Sequence, residues 1–225
     1  MAKGIVVSLK GDGREVNQDY AAYVVSEKHE LWIVADGATG AKDSGQFVAV
    51  FCRELMRLLD DFQRGFESEA VRAAIASIHK KIQKEFVCAK GSFLILIIDK
   101  SKALQHCFSL GDCRVGNYLN GKIHWNTLPH NMVVAMQIFD ENAICLRPER
   151  HILFRQLLGR RLDNPEYQRL SLDLLAPVII ATDGFWSHLP TTLPDQLSAQ
   201  EILGYLSVKE RIVDDMTVMI RLPEL

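Results

Sequence analysis

Leu31-Trp32-Ile33-Val34-Ala35 runs straight into Asp36-Gly37, and Val178-Ile179-Ile180-Ala181-Thr182 runs straight into Asp183-Gly184. Both apolar runs are rich in β-branched residues and read as buried strands. A third acidic pair, Asp214-Asp215, directly precedes Met216-Thr217-Val218-Met219-Ile220. Taken singly, Asp-Gly after a strand is a common turn pair, and Asp214-Asp215 is a solvated strand entry. Taken together, acids border several strands expected in one core, where they would be rigidly held. If they converge in space, they form a metal site rather than a set of turns.

Further strands are expected at about 4–9 and 20–25, separated by a loop over 10–19 that is rich in Gly, Asp and Asn. After the Asp36-Gly37 strand the period changes. Phe47, Val50, Phe51, Leu55, Leu58 and Leu59 recur at helical spacing, and so do Val71, Ile75, Ile78, Ile82 and Phe86. The period then returns to two over 92–98, 103–110, 114–119 and 122–125, with Asn120-Gly121 as a type I′ hairpin signal. Short helices are expected within 129–176, where Leu153, Leu157 and Leu158 recur at helical spacing. A strand over 178–182, a helix near 195–206 and a strand over 216–222 close the chain. Strands, helices, strands, helix, strand is not an alternating β-α-β order. It predicts an α+β layered domain with antiparallel sheets. No linker, internal repeat or low-complexity segment divides residues 1–225, so a single domain is expected.

With 225 residues, 48% of them apolar, the chain can bury a sizeable core. Its formal net charge of -2 gives no basic footprint for nucleic acid. The first apolar run is too short for a signal-peptide core or a membrane span. Five scattered cysteines lack zinc-knuckle or redox spacing, which predicts reduced thiols in a cytoplasmic protein.

Clustered carboxylates demand a cation. Two of them about 4 Å apart repel by about 4 kcal/mol at an effective dielectric of 20. An all-oxygen donor set of carboxylates, carbonyls and water suits Mg²⁺ or Mn²⁺ rather than zinc. A pair of such ions can activate water and clamp a phosphate. Arg14, five positions before Asp19 in the same loop, offers a phosphate a guanidinium fork.

These residues resemble the motifs of the metal-dependent serine/threonine protein phosphatases of the protein phosphatase 2C type. Arg14-Glu15-Val16-Asn17-Gln18-Asp19 is similar to the first motif, and Val34-Ala35-Asp36-Gly37 with Gly40 and Gly45 to the second. Gly91-Ser92, Gly111-Asp112-Cys113-Arg114, Pro129-His130-Asn131, Ala181-Thr182-Asp183-Gly184-Phe185-Trp186 and Asp214-Asp215-Met216-Thr217 follow in family order. The resemblance implies a four-layer α-β-β-α sandwich of two packed antiparallel sheets flanked by helices. It also implies the roles. Asp36 would bridge two ions, Mn²⁺ or Mg²⁺, and the Gly37 carbonyl would ligate the second. Asp183 and Asp214 would hold the first. Asp19 would orient water from outside the ligand shell, and Arg14 would grip the substrate phosphate. Asp112 with Asp183 would hold a third, weaker ion. The implied reaction is in-line attack of a metal-bridging hydroxide on phosphoserine or phosphothreonine, opposing a Ser/Thr kinase, with neither nucleic acid nor membrane as partner.

Some positions depart from the pattern. Ala38 stands where some members carry a His proposed as general acid, Gln18 where many carry Glu, and Ser187 where an Asp is frequent. These departures motivate the alternative of a pseudophosphatase or phospho-binding regulator with little turnover. Arg147, Arg150, Arg155, Arg160, Arg161 and Arg169 read either as a solvated face or as a basic surface for acidic phosphoproteins.

Overall fold

The structure is a computed structural model that describes residues 3–61, 66–187, 204 and 212–224. Its strands pair antiparallel throughout and form two sheets. The first sheet has the order β1 (Lys3–Leu9), β12 (Met216–Leu222), β11 (Val178–Ala181), β6 (Arg114–Leu119), β7 (Lys122–Trp125). The second runs β10 (Glu166–Leu170), β5 (Leu104–Leu110), β4 (Lys90–Asp99), β3 (His29–Gly37), β2 (Asp19–Val25). Between β6 and β7, Asn120 and Gly121 both take positive φ, 51° and 75°, as a type I′ turn requires.

Alternation along β3 sorts its side chains into two cores. Trp32 and Val34 face the other sheet, packing with Leu94, Leu96, Val115, Val178, Ile180 and Met219. Leu31, Ile33 and Ala35 face outward onto α1 (Ser44–Asp60) and α2 (Ser68–Ile82), where Phe47, Phe51, Leu55 and Ile75 are fully buried. Both faces of β3 are therefore apolar, which is why its sequence is a continuous run rather than an alternating one. The outer face of the first sheet carries its own cluster of Val7, Ile179, Ala181, Phe185, Met216, Val218 and Ile220. This is the expected α+β architecture of two packed antiparallel sheets with helices outside. The helix expected near 195–206 lies outside the described residues.

One stretch departs from expectation. Short helices do occur after residue 129: α3 (Met132–Ala135), α4 (Glu141–Leu146) and a 3₁₀ turn over Pro148–His151. Leu157 and Leu158, however, form β8 (Leu157–Leu158), which pairs with the end of β4 and with β9 (Arg161–Leu162). Backbone pairing with Lys90 and Gly91 outweighs the local helical spacing. Strand β10 also lies in the stretch expected to hold short helices. It is an edge strand of Glu, Tyr, Gln, Arg and Leu, without the apolar run of an interior strand.

Candidate active site

Register places the acids. Asp19 opens β2 directly opposite Asp36, and Asp36 lies opposite Ser92 on β4. Three neighbouring strands thus present Asp19, Asp36 and Ser92 in one row at the same end of the sheet. The Ser92 hydroxyl donates to Asp112 Oδ1 at 2.7 Å, which hangs the Gly111-Asp112 turn on that row. From the other sheet, Asp183 begins α5 (Asp183–Trp186) immediately after β11, and Asp214 leads into β12. Thr182 ties the two sets together, its hydroxyl donating to Asp19 Oδ2 at 2.9 Å while its own N–H bonds to Thr217 O.

Electrostatics report the same convergence. Asp36 keeps some exposed area, yet protein packs densely around its carboxyl. Burial pushes that carboxyl well above the usual carboxylate range, and the charges of Asp183, Asp19, Asp112 and Asp214 push it further. Each acid expected at the site therefore acts on Asp36. Asp19 is raised to about 7, chiefly by burial, against the bonds from Thr217 and Thr182. Asp112 is also raised to about 7, by burial and then by Asp183. Asp19 Oδ1 is buried with no hydrogen-bond partner.

The donor set therefore fits hard cations, with one restriction. Among the described residues, no three His, Cys, Asp or Glu side chains stand together closely enough to hold one ion by themselves. That restriction suits Mg²⁺ and related ions, which use one or two carboxylates and keep several waters.

Among the described residues, two arginines at the site point at carboxylates. Arg14 Nη2 lies 2.5 Å from Asp214 Oδ1, and Arg150 Nη1 lies 3.3 Å from Asp183 Oδ2. Asp215 does structural work beside them, accepting the backbone N–H groups of Gly11 and Gln18 and so pinning the loop that carries Arg14. Gly184, read as a turn glycine, has a second constraint. A Cβ there would meet the Asp215 carbonyl oxygen at 1.8 Å, so only glycine lets α5 approach the end of β12. Trp186, three residues after Asp183, donates its indole N–H to Asp112 O at 2.8 Å.

Sequence reading misses three of these contacts: Thr182 to Asp19, Trp186 to Asp112 and Arg150 to Asp183. The first two residues lie in a quoted motif, but nothing in the spacing names their partners. Arg150 is, in sequence, only one of a run of arginines. Within that run, Arg147, Arg150, Arg155 and Arg161 each pair with an acid. His188, close to Asp183 in sequence, lies outside the described residues. The cysteines are free thiols, and Cys113 is a small buried core residue as its position in Gly-Asp-Cys-Arg suggests.

Known structures share this fold. The Ser-Thr phosphatase MsPP of Mycobacterium smegmatis, solved in complex with cacodylate, matches with a TM-score of 0.81 at 17% identity over 99% of this chain and 98% of that one. Serine/threonine phosphatase Stp1 of Staphylococcus aureus gives 0.78 at 15% identity over 100% and 96%. The Mycobacterium tuberculosis serine/threonine phosphatase PstP/Ppp gives 0.71 at 18% identity over 100% and 99%. At these identities the likeness is one of fold. A comparison with curated protein sequences gives no match. The sequence itself matches the protein phosphatase 2C family over residues 12–213, and on that span the chain belongs to this family.

Proposed function

We propose that this chain is a metal-dependent phosphatase of phosphoserine and phosphothreonine in proteins, acting as a single domain in the cytoplasm against a Ser/Thr kinase. The observation that carries the reading is the register that sets Asp19 directly opposite Asp36, whose carboxyl is raised by burial and then by the charges of Asp183, Asp19, Asp112 and Asp214. Such a cluster costs stability unless cations offset it. Two divalent ions, Mn²⁺ or Mg²⁺, would be held by Asp36, the Gly37 carbonyl, Asp183 and Asp214. When bound, they supply Lewis-acid activation of water and neutralise phosphate charge.

The chain's own residues do the rest. Asp19, fixed by the Thr182 hydroxyl, keeps its second oxygen unpartnered and able to accept from a water beside the phosphorus. Arg14, held on a loop pinned by Asp215, brings its guanidinium to the site edge, where it can fork onto two phosphate oxygens. Cacodylate in the Mycobacterium smegmatis phosphatase is a tetrahedral oxyanion of the size such a fork would take. Ala38 has no proton to give, so the leaving seryl or threonyl oxygen must draw its proton from water or from another residue.

Hydrolysis of p-nitrophenyl phosphate, with and without Mn²⁺, separates this reading from a pseudophosphatase. Wild-type turnover that requires Mn²⁺ and disappears in Asp36→Asn supports it. Wild-type protein without turnover, or turnover indifferent to EDTA, points to the phospho-binding alternative.

A further inference from the structure

Asp112 and Asp183 are the expected ligands of a third ion, and the structure already pairs a cation with Asp183. We infer that Arg150 is a resident counter-charge that takes the place of this third ion, so the site takes two divalent ions and excludes a third. The inference rests on reading Asp36 and its neighbours as a two-ion centre.

The geometry is local and well anchored. Arg150 Nη1 is 3.3 Å from Asp183 Oδ2, and the side chains of both residues are only 11% exposed. The same guanidinium acts on Asp112, where its charge partly offsets the burial and the Asp183 repulsion that raise that carboxyl. Ser187, the next residue after α5, contributes a hydroxyl and no further charge to attract an ion.

Arg150 is not a surface side chain that happens to reach inward. Its 3₁₀ turn leads into Ile152, whose carbonyl accepts from Met132 N, and Phe154 N donates to His130 O. His130 in turn grips the turn that bears Asp112: its backbone N–H donates to Gly111 O at 2.9 Å, and its Nδ1 accepts from Gly111 N at 3.0 Å. On the other side, α4 is locked by Arg114, whose guanidinium donates two 2.8 Å bonds to Glu141 and lies over the rings of Trp125 and Trp186. The segments carrying Arg150, Asp112 and Asp183 are therefore strapped to one another. A fixed guanidinium paired with Asp183, whose charge also reaches Asp112, offsets part of their negative charge and repels a further divalent cation. Unlike a weakly bound ion, it is part of the chain and does not leave when the metal concentration falls.

Isothermal titration with Mn²⁺ tests this directly, because it counts ions without relying on turnover. Wild type should saturate at two Mn²⁺ per chain. Arg150→Met, which keeps much of the volume and loses the charge, should gain one further, weaker ion. Arg150→Lys, which keeps the charge, should stay at two. Three ions in wild type, or two in a folded Arg150→Met, would overturn the inference. No Mn²⁺ bound by any of the proteins would instead overturn the two-ion reading beneath it, and the inference with it. Should Arg150→Met not fold, anomalous scattering from wild-type crystals soaked in MnCl₂ decides. Two peaks with Arg150 in place support the inference, and a peak between Asp112 and Asp183 contradicts it.

Discussion

Asp112→Asn should stabilise the metal-free protein, and by more at pH 8 than at pH 5. The amide keeps a carbonyl oxygen to accept from Ser92 but cannot ionise. The wild-type carboxyl stands at about 7 in the fold against an ordinary 3.8, raised first by burial and then by Asp183. In the unfolded chain it loses its proton near the ordinary value, and in the folded chain near the raised one. Between those values the unfolded state binds fewer protons, so wild-type stability falls as pH rises through the window and levels off above it. From pH 5 to about 7 the slope is about 1.4 kcal/mol per pH unit, so wild type loses about 2–3 kcal/mol that the Asn variant does not. For a chain of this size that is about 5–10 °C in Tm. The assay is a pair of thermal melts in EDTA, wild type beside Asp112→Asn, at each pH. Comparing within a pair cancels the groups whose surroundings the substitution leaves unchanged. A Tm advantage of the variant that is the same at pH 5 and pH 8, or smaller at pH 8, refutes the reasoning.

Two further substitutions separate binding from stability. Arg14→Ala should lower kcat/KM for a phosphopeptide by about 10–100-fold, the value of a charge-assisted bond to an ionised group, without weakening Mn²⁺ binding, since the change also frees the Asp214 carboxylate; steady-state kinetics and Mn²⁺ titration check both halves. Arg221→Met removes the 2.8 and 3.0 Å bonds to fully buried Glu30 and leaves it the Trp32 indole at 3.1 Å and Lys100 at 3.4 Å, so it should cost about 3 kcal/mol in denaturant unfolding. Glu30 is at the opposite end of β3 from Asp36, so Mn²⁺ affinity should not follow the stability loss.

Much of the fold was legible because its signals are local. The continuous apolar run before Asp36 reads as a strand with two buried faces, and Asn120-Gly121 specifies its own turn. The stretch from Leu153 to Leu162 misleads for the opposite reason. Its leucine spacing is a local signal, but its conformation is set by pairing with Lys90 and Gly91, far away in the chain. The site divides the same way. Asp36, Asp183 and Asp214 announce themselves at strand ends. Nothing in the one-dimensional pattern says that Asp19 faces Asp36 across a ladder, that Ser92 holds Asp112, or that Arg150 reaches Asp183. Those are matters of register and of contacts between distant parts of the chain, which periodicity does not encode. Gly184 shows a third case: Asp-Gly suggests a turn, but the glycine is demanded by the Asp215 carbonyl against it.

The most direct test of the central claim is phosphate release from a phosphothreonine peptide by protein stripped with EDTA and then resupplied with Mn²⁺. The account predicts negligible release before Mn²⁺ is added, recovery after it, and a loss of about 10²–10³-fold in Asp36→Asn, as expected when a charge-stabilising group is removed from a reaction centre. Release that proceeds equally in EDTA, or an Asp36→Asn protein that keeps wild-type turnover, would contradict it.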